Sequence, residues 1–317
     1  MLRTVLRTVT GAVALGVGGV AYASLVERNA YTLRRFTVPV LPPGAAPLRV
    51  LQVSDLHLVP RQARKVEWVR GLAALEPDLV VNTGDNLAAV DAVPAALRAM
   101  EPLFEFPGVF VMGSNDVFGP VPKNPARYLT GRHAEAPPGR VALPVEDLRD
   151  GLLAGGWADL DNVRTVMDVA GQRLELVGTD DAHIRRDRYA AVAGPASPSA
   201  AVTIGVTHAP YLRVLDPMVA DGASLVIAGH THGGQLAVPF HGALVTNCDL
   251  PTNRAKGLSR WWPGAGAAPS SAAPADAAWL HVSAGLGTSP YAPVRFACRP
   301  EATLLTLAPR RVGGPTR

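Results

Sequence analysis

Compact apolar runs alternate with helical patterns in the first half of the chain. Residues 48–53, 79–83 and 109–112 are short, mostly aliphatic stretches of the kind that form buried strands. Between them, residues 61–75 and 90–100 carry apolar side chains three or four positions apart, which predicts helices. Strands that alternate with helical crossovers predict an α/β fold with a parallel sheet.

The second half of the chain is predicted to be richer in strands. Its apolar runs lie at residues 163–169, 174–177, 202–206, 225–228, 283–286 and 303–307. Residues 119–144 are rich in Pro and Gly and exceed an ordinary connection, so we expect a functional or mobile loop there. Residues 263–278 are almost wholly Pro, Gly, Ala and Ser, so we expect a disordered low-complexity insert.

The N-terminus has the pattern of a membrane-targeting segment. Residues 8–26 form a run of 19 uncharged positions between Arg7 and Glu27, close to the roughly 20 residues that span a bilayer. The small-x-small sequence at residues 21–23 also fits a signal-peptide cleavage site, so an anchor is favoured but cleavage stays open. Arg3 and Arg7 favour a cytoplasmic N-terminus, which would place the following domain outside the cytoplasm.

These patterns predict one catalytic domain with short appendages. The predicted segments are an anchor or signal segment (1–26), a tether (27–47), the domain (48–308) and a tail (309–317). A composition of 48% hydrophobic and 18% charged residues is that of a globular fold and excludes general disorder. The net charge of +4 comes from scattered basic residues, so no nucleic-acid partner is expected. Two cysteines, Cys248 and Cys298, exclude a disulfide framework and a zinc knuckle.

Side chains that can bind metals follow the predicted strands at their carboxyl ends, the edge at which α/β sheets bind ligands. In chain order, these candidate ligands are Asp55, His57, Asp85, Asn115, His208, His230 and His232. Each short motif is weak alone, but separate structural explanations at every one of these strand ends are improbable. Together they predict a metal centre.

Carboxylate, imidazole and amide ligands suit first-row divalent ions such as Mn, Fe or Zn. No cysteine accompanies them, which argues against a structural zinc site. The set is too large for one ion but suits two ions roughly 3.5–4 Å apart that share a carboxylate. Asp85, the central carboxylate, is the predicted bridge.

As a set, these motifs resemble those of the calcineurin-like metallophosphoesterases. The family pattern is Asp-x-His, Gly-Asp, Gly-Asn-His-Asp/Glu, a lone His and Gly-His-x-His, and order and approximate spacing match from Asp55 to His232. The sequences Gly-His-Thr-His-Gly-Gly-Gln (229–235) and Ser-Ala-Gly-Leu-Gly-Thr-Ser (283–289) also resemble the bacterial membrane-associated branch. The resemblance covers about residues 48–308 and implies a four-layer α/β/β/α sandwich.

The resemblance also implies two ligand sets that share one carboxylate. One metal would be bound by Asp55, His57, Asp85 and His232, and the other by Asp85, Asn115, His208 and His230. A hydroxide bridging the ions would attack phosphorus in line while the metals neutralise charge on the phosphoryl oxygens. The implied reaction is hydrolysis of a phosphate ester, and the tether favours a cell-envelope lipid or glycan phosphate as substrate.

One segment departs from the family pattern, because Gly113-Ser114-Asn115-Asp116 replaces Gly-Asn-His-Asp/Glu. Ligand chemistry favours Asn115 as the amide ligand, although strict alignment from Gly113 places Ser114 there. The usual imidazole, which assists the leaving group, is missing in either case. Asp116 would act as the acid if its pKa is raised, or it would orient a neighbouring histidine.

Two other functions are compatible with the sequence. A nucleotide phosphodiesterase or nuclease would use the same metals but needs a basic, aromatic-lined groove that the sequence does not reveal. A membrane-tethered, non-catalytic metal-binding scaffold is suggested by the altered 113–116 segment alone. Retention of every other ligand type favours the hydrolase.

Overall fold

The computed structural model describes residues 16–122 and 139–310. Two six-stranded mixed sheets form the centre of the molecule and pack face to face. In spatial order, the first sheet contains β1 (Thr32–Leu41), β14 (Glu301–Pro309), β2 (Leu48–Val53), β3 (Leu79–Asn82), β4 (Gly108–Phe110) and β5 (Ala158–Asp159). The second contains β12 (Gly257–Trp261), β13 (Ala278–Val282), β9 (Leu225–Ala228), β8 (Val202–Thr207), β7 (Gln172–Thr179) and β6 (Arg164–Val169). A separate hairpin consists of β10 (Ala237–Val238) and β11 (Gly242–Ala243).

Most neighbouring strands are parallel, as the alternating sequence pattern predicts. In the first sheet β2 to β5 are parallel, β1 is parallel to β14, and β14 is antiparallel to β2. In the second sheet β7, β8, β9 and β13 are parallel, with β6 and β12 antiparallel at the two edges. Parallel neighbours end at the same edge, so the loops after β2, β3 and β4 lie together, as do those after β7, β8 and β9.

Helices cover the outer face of each sheet. The α-helices are α1 (residues 16–21), α2 (Ala63–Arg70), α3 (Val93–Met100), α4 (Ser114–Val117), α5 (Val145–Ala154) and α6 (Leu212–Ala220). Short 3₁₀ turns occur at Glu27–Asn29, Gly71–Leu75, Glu101–Glu105, Ala182–Ile184, Tyr189–Ala191, His232–Gly234, Thr252–Arg254 and Ser270–Ala272.

Alternate residues of the central strands show the order of the layers. Val50 and Val81 pack into the core between the two sheets, whereas Leu51 and Val80 pack against the outer helices α2, α3 and α5. A third core lies between the second sheet and α6. Burial on both faces explains why these strands are nearly continuous apolar runs. The predicted α/β class and the order helix, sheet, sheet, helix are confirmed.

The predicted tether 27–47 is wrong over most of its length. Residues Thr32 to Leu41 form β1, which pairs in parallel with β14 along its whole length. Val38 and Val40 are buried between the sheets, although two arginines and a proline interrupt the apolar pattern of the strand. The domain therefore begins before Leu48.

The predicted disordered insert 263–278 is also packed onto the domain. The buried Arg254 guanidinium donates hydrogen bonds to the carbonyls of Gly266 and Ala268 at 3.1 and 2.7 Å. Ala265 is buried with Trp261 in the third core. Composition could not reveal this contact, because the donor to these two carbonyls is a side chain outside the segment.

Several predictions concern residues outside the described ranges. Outside these ranges lie residues 1–15 of the N-terminal segment, residues 123–138 of the predicted 119–144 loop and residues 311–317 of the tail. After α1, the chain continues through a π-helical turn at Tyr22–Val26. Across residues 16–122 and 139–310, no helix has the length and apolar character needed to span a bilayer.

Candidate metal centre

The predicted ligands lie on sharp turns directly after the strands. Asp55, His57, Asp85, His230 and His232 all have positive φ, between 41° and 71°. Non-glycine residues rarely adopt this conformation, and a cluster of them is characteristic of functional sites, where surrounding structure compensates for the strain. Backbone strain is therefore present at five of the seven predicted ligands.

Two glycines allow the two halves of the site to approach each other. A Cβ atom on Gly229 would collide with Ser54 Oγ and lie 2.7 Å from Asp55 Oδ2. A Cβ atom on Gly113 would collide with the Asp85 carboxylate and lie 2.8 Å from His208 Cε1. Glycine at these strand ends therefore lets backbone from one sheet pack directly on ligands from the other.

One group of ligand atoms is compact and buried. Single ligand atoms of Asp55, His57, Asp85 and His232 all lie within 4.8 Å of one another. His57 Nε2 lies 3.1 Å from His232 Nε2 and 3.4 Å from Asp85 Oδ2. His232 Nε2 lies 3.6 Å from Asp55 Oδ1. Neutral imidazoles and carboxylates that converge this closely are suited to a divalent cation.

A second group lies on the other side of Asp85. Asp85 Oδ2 is 3.4 Å from His208 Nε2, and that nitrogen is 3.3 Å from His230 Nδ1. The side-chain amide of Asn115 donates to the same Asp85 oxygen at 2.6 Å. The structure therefore brings all seven predicted ligands together, with Asp85 between the two groups.

Hydrogen bonds from the surrounding chain fix the orientation of these ligands. His208 Nδ1 lies 2.6 Å from the carbonyl oxygen of Thr83, and His230 Nε2 lies 3.2 Å from that of Asn247. In each ring the other nitrogen points into the cluster, the arrangement typical of metal-bound histidines. The backbone N–H of His230 donates to both oxygens of Asp55 at 3.1 Å.

Burial keeps most of the imidazoles neutral. It lowers the pKa of His57 to about 4 and holds the pKa values of His230 and His232 well below the ordinary histidine value. Although burial opposes ionisation of Asp85, His208 and His57 hold the pKa of that carboxyl well below its usual range. His57 Nδ1 is buried without a hydrogen-bond partner among the described residues. Against the effect of burial, Asp85 holds the pKa of His208 above the ordinary histidine value. The three neutral imidazoles beside an ionised carboxylate fit a bound cation.

Asp116 does not face the cluster. Its carboxylate accepts backbone N–H bonds from Asp85, Asn86 and Gly113 at 2.7–3.0 Å and from Leu87 at 3.2 Å. Burial first, and then the neighbouring Asp85 charge, raise its pKa to about 7, but its oxygens are occupied by the loop that carries Asp85. The predicted catalytic acid is therefore an anchor for that loop, and its contacts are to backbone rather than to a histidine.

Sequence reasoning missed three residues beside the cluster. Arg140 Nη2 lies 3.4 Å from Asn115 Oδ1, and the His183 ring centre is 4.6 Å from that of His230. Asp181 is fully buried, and burial raises its pKa to about 7. A signal was present for Asp181 and His183, because the Asp180–His183 segment follows β7 in the way the candidate ligands follow their strands.

Comparison with known proteins gives the family. Residues 48–234, more than half of the chain, match the family described as calcineurin-like phosphoesterase. The chain belongs to this family. The predicted membership of the calcineurin-like family is confirmed, whereas the membrane-associated branch stays a prediction, and this phosphoesterase is a hydrolase.

Two curated relatives match nearly the full length of this phosphoesterase. The uncharacterized metallophosphoesterase YkuE of Bacillus subtilis is 25% identical over 318 residues, which cover 96% of each chain. The phosphodiesterase YaeI of Escherichia coli is 25% identical over 300 residues, covering 91% of this chain and 93% of its own. Among solved structures, TT1561 of Thermus thermophilus matches 76% of this chain and 91% of its own, with 14% identity and a TM-score of 0.37.

Proposed function

We propose that this phosphoesterase holds two divalent metal ions and hydrolyses a phosphate ester at them. The observation that supports this most directly is the position of Asp85 Oδ2, which is 3.4 Å from both His57 Nε2 and His208 Nε2. One ion would be held by Asp55, His57, Asp85 and His232, and the other by Asp85, Asn115, His208 and His230. When bound, such ions lower the pKa of a water ligand and neutralise charge on phosphoryl oxygens.

The residues of the chain supply position and charge. The carbonyls of Thr83 and Asn247 accept hydrogen bonds that hold the His208 and His230 rings. The Asp116 carboxylate holds the Asp85 loop, so the ligands are fixed before substrate binds. The usual imidazole is missing from the 113–116 segment, and the Asp116 carboxylate is occupied by backbone N–H groups. We therefore propose that preferred substrates have good leaving groups, because the 113–116 segment offers no proton donor aimed at the cluster.

Arg140 is proposed to bind the phosphoryl group. Its Nη2 bridges from Asn115 to the carbonyl of Phe118 at 3.0 Å, and its Nε donates to the carbonyl of Gly119 at 3.1 Å. These bonds aim a positive charge at the edge of the cluster. Among the described residues it forms no ion pair with a carboxylate, so its charge is available to an anionic substrate.

Replacement of Arg140 by Ala should raise KM for a phosphate ester and the inhibition constant of inorganic phosphate, each about tenfold or more, because a charge-assisted hydrogen bond is lost. Arg140→Lys should recover part of the phosphate affinity. The exposed Arg98 on α3 offers a matched control, and Arg98→Ala should change neither constant. Equal phosphate inhibition in Arg140→Ala and the unaltered enzyme would exclude this role.

The substrate class and location are also proposals. The uncharged run 8–26 supports a membrane-associated enzyme that acts on a cell-envelope lipid or glycan phosphate. Arg3 and Arg7 before this run support a catalytic domain outside the cytoplasm. The name of the Escherichia coli relative supports a diester as the first substrate to test.

The test is turnover of bis-p-nitrophenyl phosphate and p-nitrophenyl phosphate by the full chain, after removal of metal by chelation and after addition of Mn²⁺, Zn²⁺ or Fe²⁺. We expect turnover only with metal, together with two bound ions per chain by elemental analysis. Removal of metal from a site saturated about 100-fold above its Kd should cost about 2.7 kcal/mol, which lowers Tm by roughly 5 °C. Two bound ions without turnover of either ester would instead support the metal-binding scaffold.

A further inference from the structure

We infer that an apolar face beside the metal centre seats this phosphoesterase on the surface of a lipid bilayer. This apolar face consists of side chains from the N-terminal helical segment, the β10–β11 hairpin and one neighbouring loop. Its members are Val20, Leu25, Leu236, Val238, Phe240 and Phe296. Docking would make the substrate a phosphorylated amphiphile, and this consequence rests on the proposed function. The docking itself does not depend on the proposed function.

The hairpin presents an aromatic residue to solvent at its tip. Within the described part of the chain, β10 and β11 form a two-stranded sheet of their own, through Ala237 with Ala243 and Val238 with Gly242. Between these strands, Phe240 is fully exposed and has a φ of 67°. A large aromatic side chain in water on a strained backbone gains nothing from packing within the domain, so a binding partner is the better explanation.

Backbone contacts join the elements that carry these exposed residues. Leu236 forms a β-bridge with Phe296, and the N–H of Ala237 donates to the Phe296 carbonyl at 2.9 Å. The N–H of Arg295 donates to the carbonyl of Ala23 at 3.1 Å, in the turn between Val20 and Leu25. The hairpin and the N-terminal segment therefore meet at residues 295 and 296.

Two observations identify a bilayer as the partner. The chain leaves the described structure from this face, and the eight residues before Gly16 continue the uncharged run that begins at position 8. The face is built from residues 16–29, 235–248 and 289–300. These ranges contain one acidic residue, Glu27, which is buried and accepts a hydrogen bond from the backbone N–H of Cys298. Arg28 and Arg299 supply positive charge. Apolar side chains with cationic neighbours match an anionic lipid surface.

Residues of the apolar face lie close to the candidate metal ligand His232 along the chain. His232 opens the 3₁₀ turn His232–Gly234, and Leu236 follows it by four positions. Arg295, which precedes Phe296, places its Nη2 3.3 Å from His232 Nδ1. Side chains of such faces enter a bilayer by roughly 5–10 Å, to the level of the headgroups. Docking would therefore bring the metal centre to a phosphate in the lipid headgroup.

The test uses a fluorophore on the full chain. Both native cysteines are buried, so Phe240→Cys can be labelled with an environment-sensitive NBD group. Val166→Cys, at an exposed apolar position on the edge strand β6, is the matched control. With vesicles of phosphatidylcholine and phosphatidylglycerol, the label at 240 should shift to shorter wavelength and be quenched by spin-labelled lipid, and the label at 166 should not.

Three results would overturn the docking. Vesicle-bound protein with no change of the label at 240 would mean that the N-terminal run alone holds the protein. A shift that depends on protein concentration and needs no vesicles would mean that a second copy covers the face. A shift of equal size at 166 would mean general adsorption. Each result is read without hydrolysis, so it is independent of the proposed function.

A second arm connects docking to turnover. For Phe240→Ser, the ratio of turnover on vesicle-embedded phosphatidic acid to turnover on p-nitrophenyl phosphate should fall about tenfold or more, since insertion of one aromatic side chain is lost. Val166→Ser should leave the ratio unchanged. An unchanged ratio in Phe240→Ser would contradict the coupling to substrate. Failure of the unaltered chain to hydrolyse either ester would contradict the proposed function and leave the fluorescence result to judge docking.

Discussion

Replacement of Asp85 by Asn should lower turnover by about 10³-fold and abolish binding of the two proposed metal ions. Asp85 Oδ2 lies 3.4 Å from both His57 Nε2 and His208 Nε2, so loss of its charge should weaken both proposed ion sites at once. Loss of the metals' charge stabilisation of the transition state corresponds to about 4 kcal/mol in the barrier, which gives the expected factor. Elemental analysis and steady-state kinetics on bis-p-nitrophenyl phosphate measure the two effects.

The same variant separates function from folding. Asparagine has nearly the shape of aspartate, but it removes the charge that faces His57 and His208 and that stabilises the metal-free fold. The Tm of metal-free Asp85→Asn should therefore lie somewhat below that of the metal-free unaltered chain, while its unfolding remains cooperative. Asp91→Ala, at an exposed position in the same region of the chain, should retain full turnover. A stoichiometry of one bound metal ion per chain in Asp85→Asn would show that Asp85 does not bridge the two groups.

Deletion of residues 1–47 should prevent the domain from folding stably. It removes β1 and with it Val38, Val40 and Leu41, each at most 2% exposed. At about 1.5–3 kcal/mol for each buried side chain, the loss is roughly 5–9 kcal/mol, comparable to the whole stability of a domain. The deletion also leaves β14 as an unpaired edge, which favours aggregation.

A chain that begins at residue 16 is the matched control for this deletion. It retains β1 and the hydrogen bond between Ala23 and Arg295, so it should unfold cooperatively with a Tm close to that of the full chain. Circular dichroism and size-exclusion chromatography distinguish the two truncations. Cooperative unfolding of the chain from Leu48 at an unchanged Tm would show that β1 is dispensable.

The central strands could be predicted from the sequence because burial on both faces makes them continuous apolar runs. β2, β3, β8 and β9 are all found where such runs occur. β1 escaped detection, since Arg34, Arg35 and Pro39 lie on an edge strand where exposed positions tolerate them. The packing of segment 263–278 also escaped detection, because it depends on the side chain of Arg254, which lies outside the segment.

The clustering of the candidate ligands could be predicted because each one follows a strand, and parallel strands deliver their ends to one edge. Asp116 could not be assigned in this way. Its residue type allows an acid, an orienting group or an anchor, and only the direction of the carboxylate toward the backbone of residues 85–87 decides between them. No motif marks Arg140 in the sequence, so only the structure shows its position beside Asn115.

The sequence alone determined the family, the α/β class and the seven candidate ligands that the structure brings together, because motif spacing and apolar runs are local properties of the chain. The tertiary structure decided which strand completes the first sheet, that Asp85 lies between two groups of ligands, and that Asp116 is an anchor. It also placed the exposed Phe240 hairpin on the same side as the N-terminal segment. These features depend on contacts between residues far apart in the chain, and such contacts form only when the two sheets pack together.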